Sequence, residues 1–134
     1  MESVYLVRHA VSEDGLIWQR DDGYMIDKLY EDECQLPSNV VSFAGEYHMF
    51  FSYRHSVNFR NGERGYRIGH AVSKDLKIWK RDYEFNGFPC SSTGWDSEMV
   101  CYPNIIKMKD GRILVFYCGN HFGKGGMGYA EIEY

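Results

Sequence analysis

The sequence has three prolines, four cysteines and no long apolar run, and each scarcity excludes something. No stretch reaches the roughly 18 apolar residues a membrane helix needs, so no membrane partner is expected. No window of ten or more residues carries a clean i, i+3, i+4 apolar stripe, so helices are hard to find. Fifteen Lys and Arg against nineteen Asp and Glu, with no basic run, leave no electrostatic footprint for nucleic acid. Cys34, Cys90, Cys101 and Cys118 lack C-x-x-C or His-paired zinc spacing. Free, mostly buried thiols are the favoured reading over a disulfide. Met1 and Glu2 lead into mixed polar residues rather than a basic-then-apolar leader, so a cytoplasmic location is expected. No cofactor and no metal are expected.

What is present is aromatic: 11 Tyr, 8 Phe and 3 Trp, a density incompatible with disorder. Short β-branched and aromatic runs alternate with turn signals. They predict strands at Val4–Ser12, Ile17–Arg20, Ser38–Phe43, Tyr47–Tyr53, Tyr66–Ser73, Ile78–Arg81, Asn104–Met108, Arg112–Cys118 and Met127–Glu133. Hairpin turns are expected at Ala44-Gly45 and Asp110-Gly111, the latter of type I′. Asn61-Gly62 marks the tip of a longer polar loop.

The chain also repeats itself. Tyr5–Asp21 and Tyr66–Asp82 align without gaps at an offset of 61, with ten of seventeen positions identical. Pro37–His55 aligns with Pro103–His121 at an offset of 66, and Gly128-Tyr129-Ala130 matches Gly69-His70-Ala71. Four antiparallel strands per repeat of about 60 residues describe a propeller blade. With strands named a to d from the inside outward, the chain reads c-d (residues 1–22), a-b-c-d (31–83) and a-b-c (95–134). The expected fold is all-β, a partial β-propeller of about two four-stranded blades within one domain.

The S-x-D-x-x-x-W element (Ser12, Asp14, Trp18; Ser73, Asp75, Trp79) resembles the blade motif of the five-bladed β-propeller glycosidases, the arabinanase, xylosidase, invertase and mannoside-phosphorylase-like superfamily. Tyr66–Ala71, Gly94–Met99 and Tyr117–Asn120 are similar to the C-terminal blades of such proteins. The resemblance implies a funnel along the ring axis, with carboxylates at the starts of the innermost strands acting on a sugar. Glycoside cleavage needs one carboxyl as acid and a second as base or nucleophile. Asp32 and Glu98 each lie five residues before the blade proline, Glu33-Cys34 resembles an E-C-P acid motif, and Asp96 is two residues before Glu98. Glu98, Asp96, Asp32 and Glu33 are therefore the expected catalytic set, and solvated loop carboxylates the plain alternative. The substrate-binding set is Arg54, Arg67, Trp95, Tyr102, Asn120 and His121. Arg67 serves equally well in an inter-blade salt bridge, and Trp95 either stacks on a sugar or packs in the core. Trp18 and Trp79 repeat and read as packing residues, while Asp14 and Asp75 cap the c–d turns.

Two look-alikes fall away. Leu6-Val7-Arg8-His9-Ala10 imitates the opening of histidine phosphatases, but no alternating strand–helix pattern follows, and His9 sits inside the repeat. Gly123–Gly128 satisfies G-x-G-x-x-G with only six residues behind it, too few for the helix such a site requires.

A carbohydrate-active, glycoside hydrolase-like fragment is the leading reading. A non-catalytic carbohydrate-binding or assembly module is the alternative. Barely two blades leave open edges and uncovered faces, so a homo-oligomer, dimer or trimer, completing the ring is expected as partner. A piece of a longer propeller remains the other explanation.

Overall fold

The computed structural model describes residues 2–134, which form nine strands and one 3-10 turn at His121–Gly123. The strands are β1 (Ala10–Val11), β2 (Gln19–Arg20), β3 (Glu33–Phe43), β4 (Glu46–His55), β5 (Arg67–Ser73), β6 (Trp79–Arg81), β7 (Cys101–Lys107), β8 (Ile113–Cys118) and β9 (Met127–Glu131). They build antiparallel sheets of two, four and three strands in chain order, β1-β2, β3-β4-β5-β6 and β7-β8-β9. These strand counts, two, four and three, match the numbers expected for c-d, a-b-c-d and a-b-c.

Three details differ from expectation. The first strand pairs within its sheet only over Ala10–Val11, because among the described residues β2 is its one sheet neighbour. Its earlier residues still run extended, with Val7 O and His9 O accepting from Met25 N–H and Asp21 N–H (3.1 and 3.0 Å). The strand expected from Ser38 begins at Glu33, since Pro37 does not end it but sits at a register shift before Val40. The same shift spans Pro103 in β7; a residue without N–H is accommodated at a bulge. Finally, the two-residue turn with both φ positive is Ala44-Gly45 (50° and 81°), not Asp110-Gly111, where Gly111 alone is left-handed. Asp110 instead accepts from Arg112 N–H and Nε (3.1 and 2.9 Å), which holds its own backbone out of the I′ conformation.

The c–d turns are copies. Asp14 Oδ1 accepts from Leu16 and Ile17 N–H, and Asp75 Oδ1 from Lys77 and Ile78 N–H, all at 2.8–2.9 Å. Trp18 and Trp79 close each turn by donating to Gly15 O and Leu76 O (3.2 and 3.1 Å).

The core lies between blades, as it does in stacked repeats. Val7, Ile26, Met49, Phe51, Ala71 and Trp79 are buried between the first and second blades. Phe43, Phe50, Ile68, Val100, Ile105, Ile113 and Val115 fill the space between the second and third. Each joint also carries a backbone bond accepted by equivalent tyrosine carbonyls, from donors one repeat position apart: Gln35 N–H to Tyr5 O (2.8 Å) and Val100 N–H to Tyr66 O (3.2 Å). All four cysteines are free; burial, with Cys118 adding to it, pushes the Cys101 thiol up to about 12.

Candidate functional site

The innermost strands β3 and β7 pack side by side, so the residues just before them share one end of the array. The loop 56–66, joining β4 to β5, closes over that end. Arg64 Nη2 reaches from it to Asp32 Oδ2 (2.8 Å), and Arg67 Nη1 donates to Glu98 O (2.9 Å) while its Nη2 bonds Gly62 O. A depression of ≈ 440 Å³ beside this loop is lined by Glu2, Asn58, Arg60, Asn61, Glu63 and Arg64.

The four expected carboxylates have four different environments. Glu33 is completely buried, with Oε1 at 2.7 Å from Arg81 Nη1 and 2.9 Å from Gln35 Nε2, and Oε2 accepting from Leu29 N–H at 2.8 Å. Asp32 is half-exposed and fully engaged, with His55 Nδ1 at 2.8 Å, Arg64 at 2.8 Å and Ser56 N–H at 3.4 Å. Burial works to raise its pKa, but the His55 hydrogen bond and charge, the Ser56 N–H and Arg64 outweigh it and hold the carboxyl below its ordinary value. Asp96 is 6% exposed and accepts from the Tyr117 hydroxyl (3.1 Å). Glu98 is exposed and, among the described residues, has no side-chain hydrogen bond or ion pair.

Glu98 is nevertheless fixed at its backbone. Asn120 Oδ1 accepts from Glu98 and Met99 N–H (2.8 and 3.1 Å), and Asn120 Nδ2 donates to Gly94 O (3.0 Å). Asn120 thus shapes the turn that presents the carboxylate. His121 is exposed at φ 55° and opens the 3-10 turn. Tyr102 is 41% exposed, tilted against Tyr66 at 5.4 Å, and donates its N–H to Ser52 Oγ (2.8 Å).

Arg67 makes no inter-blade salt bridge among the described residues; it joins the blades through carbonyls instead. Arg54 is 2% exposed and lies beneath the mouth, 3.6 Å over the Phe59 ring, donating to His55 O and the Tyr5 hydroxyl (2.6 and 2.9 Å). Trp95 stacks on Tyr117 at 5.3 Å and covers a backbone without side chains. A Cβ at Gly119 or Gly128 would meet its ring at 2.4 or 2.8 Å, so these glycines are required by close approach. Of the stabilising partners, His55 carried a sequence signal, as the counterpart of His121 in the repeat. Arg64 and Arg81 carried none, because nothing local marks a residue that pairs 32 or 48 positions away.

The geometry defines the class: a partial β-propeller of the glycosidase-like kind, with carboxylates at the starts of its innermost strands. The chain is similar in part of its sequence to a sucrose-6-phosphate hydrolase and a levanase, and in fold to a glycoside hydrolase. It is 32% identical over 133 residues to "Uncharacterized protein Rv1502" of Mycobacterium tuberculosis (strain ATCC 25618 / H37Rv), covering 98% of this chain and 42% of that protein. It is 30% identical over 84 residues to the sucrose-6-phosphate hydrolase of Bacillus subtilis (strain 168), covering 63% of this chain and 16% of the enzyme. A solved structure of a glycoside hydrolase superposes with a TM-score of 0.70 at 21% identity, covering 93% of this chain and 35% of that one. The chain therefore spans less than half the length of these relatives. No protein-family model matches it. Among the described residues no helix is long and apolar enough to cross a membrane.

Proposed function

We propose that the chain carries a glycoside hydrolase-like, carbohydrate-binding half-site at the mouth formed by Asp32, Glu98 and the loop 56–66, with Glu98 as its proton-transferring carboxyl. One observation carries this reading. Asp32 and Glu98 occupy equivalent positions of the repeat, yet Asp32 is held by His55, Ser56 and Arg64 while Glu98 faces solvent unpaired. In cleavage, Glu98 would give its proton to the glycosidic oxygen as that bond breaks, and water would supply the hydroxyl to the anomeric carbon. Asp32, kept ionised by those partners, opposes the positive charge that develops on the ring. The base that activates the water is not among these residues, which fits a chain supplying part of a funnel.

A second reading, a non-catalytic carbohydrate-binding module, is favoured by Glu33. That carboxylate is sealed in an ion pair with Arg81, so the acid motif it resembles is out of a ligand's reach.

Both readings meet one experiment. Aryl furanosides, aryl pyranosides and sucrose 6-phosphate are assayed for turnover and, by calorimetry, for binding, with Glu98→Gln and Asp96→Asn alongside the parent chain. The hydrolase reading expects turnover that falls by about 100-fold or more in Glu98→Gln while binding persists. Turnover unchanged by that substitution overturns Glu98 as the acid. Binding without turnover selects the second reading, and neither binding nor turnover overturns both.

A further inference from the structure

We propose that Cys101 and Cys118 form an oxidisable pair, a modification site at which a hydroperoxide converts two thiols into one disulfide across β7 and β8. The two residues stand directly opposite each other in the antiparallel register of that hairpin. Opposed residues share a face and have Cα atoms about 4.5 or 5.5 Å apart, and both spacings lie inside the span of about 4.4–6.8 Å that a disulfide bridges. Cys101 Sγ lies 4.0 Å from the carbonyl of Gly119, the residue after Cys118. Both side chains pack against Tyr66 and Met99, in the joint with the second blade, so their surroundings come from within this chain.

Blade architecture does not ask for sulfur here. At the offset of 66 the second blade has Gln35 and Ser52 in these places. Cys34 stands opposite Arg54 in its own sheet and has no thiol across the ladder. Among the described residues, Cys101 and Cys118 are the one pair of the four free cysteines held in register. The pair also brackets the turn that presents Glu98. Asn120, two residues after Cys118, accepts from the N–H groups of Glu98 and Met99, and Cys101 follows Met99 by two. A disulfide closes a ring around that clasp and holds the turn in place.

The two thiols have different parts in the reaction. Cys101 is fully buried, and burial, with Cys118 adding to it, pushes its thiol up to about 12, so it stays protonated at neutral pH. Cys118 is half-buried under the 3-10 turn, where a Cβ on Gly123 would come within 3.1 Å of its Sγ. An oxidant therefore meets Cys118 first. The Cys118 thiolate attacks the hydroperoxide, the O–O bond breaks, the alkoxide leaves and takes up a proton, and a sulfenic acid remains. The Cys101 sulfur then attacks the Cys118 sulfur, the S–O bond breaks, and the hydroxyl departs as water with the Cys101 proton. Two electrons have passed from the thiols to the hydroperoxide, which ends as an alcohol and water.

Non-reducing peptide mass spectrometry on the full chain, treated with tert-butyl hydroperoxide and then alkylated, tests the proposal. The expected product carries a Cys101–Cys118 link with Cys34 and Cys90 alkylated, and dithiothreitol restores all four thiols. Cys118→Ser abolishes the link and leaves the circular dichroism spectrum unchanged, as a half-buried position allows. The parent chain oxidised in urea isolates the part played by the register. There loop closure favours the shorter segment between Cys90 and Cys101, so that link should exceed Cys101–Cys118. Amide exchange at Glu98 and Met99 should slow in the oxidised chain, because their clasp is stapled. Four intact thiols after oxidation, a sulfinic acid on Cys118 without a link, or a native link to Cys34 or Cys90 overturns the proposal. A Cys101–Cys118 link as dominant in urea as in the native chain overturns it equally.

Discussion

Leu76 holds φ at +65°, and its counterpart in the first blade is Gly15 at +73°. Both stand at the corner of the Asp-capped c–d turn, where the backbone must turn left-handed for the N–H groups to reach the carboxylate. A leucine there is strained by about 1–2 kcal/mol, whereas glycine is not. Leu76 is 40% exposed, so little burial offsets that strain. Leu76→Gly should raise stability by up to about 1 kcal/mol, seen as a higher denaturant midpoint with an unchanged slope. A lower midpoint would mean that the flexibility gained by the unfolded chain exceeds the relieved strain. The same scale explains why Glu33 was hard to read. Asp32, Glu33 and Glu98 look alike as letters before a strand. Their difference lies in Arg81 and Arg64, distant in sequence, which arrive only when the chain folds.

Within the four-stranded sheet, two polar features cross the strands. Arg81 on β6 spans the blade to Glu33 on β3, passing the rings of Phe51 and Tyr53 at 5.0 and 4.7 Å. Both ends are buried, so Arg81→Met leaves a buried carboxylate without its positive partner and should cost about 3–5 kcal/mol. Adding Glu33→Gln should recover part of that loss, measurable as a positive coupling in a double-mutant cycle of urea melts. The second feature is a hydrogen-bonded chain in which His48 links Phe43 O (3.2 Å) to His70 (3.0 Å), and His70 links to Asp82 (3.0 Å). Burial, then the neighbouring His70, lowers the His48 pKa against a smaller opposing pull from Phe43 O and Glu46. A histidine whose pKa falls on folding contributes stability that is present above its unfolded value, near 6.5, and is lost as pH drops from there through the folded value. Melting temperature should therefore fall between about pH 7 and 5, and His48→Gln should flatten that part of the profile. A parallel profile in the variant would assign the loss to other groups.

For the molecule as a whole, the repeat made most of the architecture legible. Ten identities in seventeen positions, with a proline and a glycine turn at fixed offsets, placed every strand in its blade. The errors fell where a strand's length depends on its neighbours. β1 is short because β2 is its one sheet neighbour among the described residues, and β3 starts early because Pro37 is absorbed as a bulge. Neither condition is written in the strand itself. The mouth was legible as a position, since Asp32 and Glu98 fell together at one end of the array. Its chemistry was not, because which carboxylate remains free is decided by loop 56–66 folding back onto Asp32.

The joints between blades have a consequence for how such a molecule changes over time. Gln35 to Tyr5 and Val100 to Tyr66 are main-chain bonds, indifferent to what the side chains become. The angle between neighbouring blades is thus inherited separately from the residues at their ends. One mouth position can stand without ties, as Glu98 does, while its twin is tethered, and the frame around them does not register the difference.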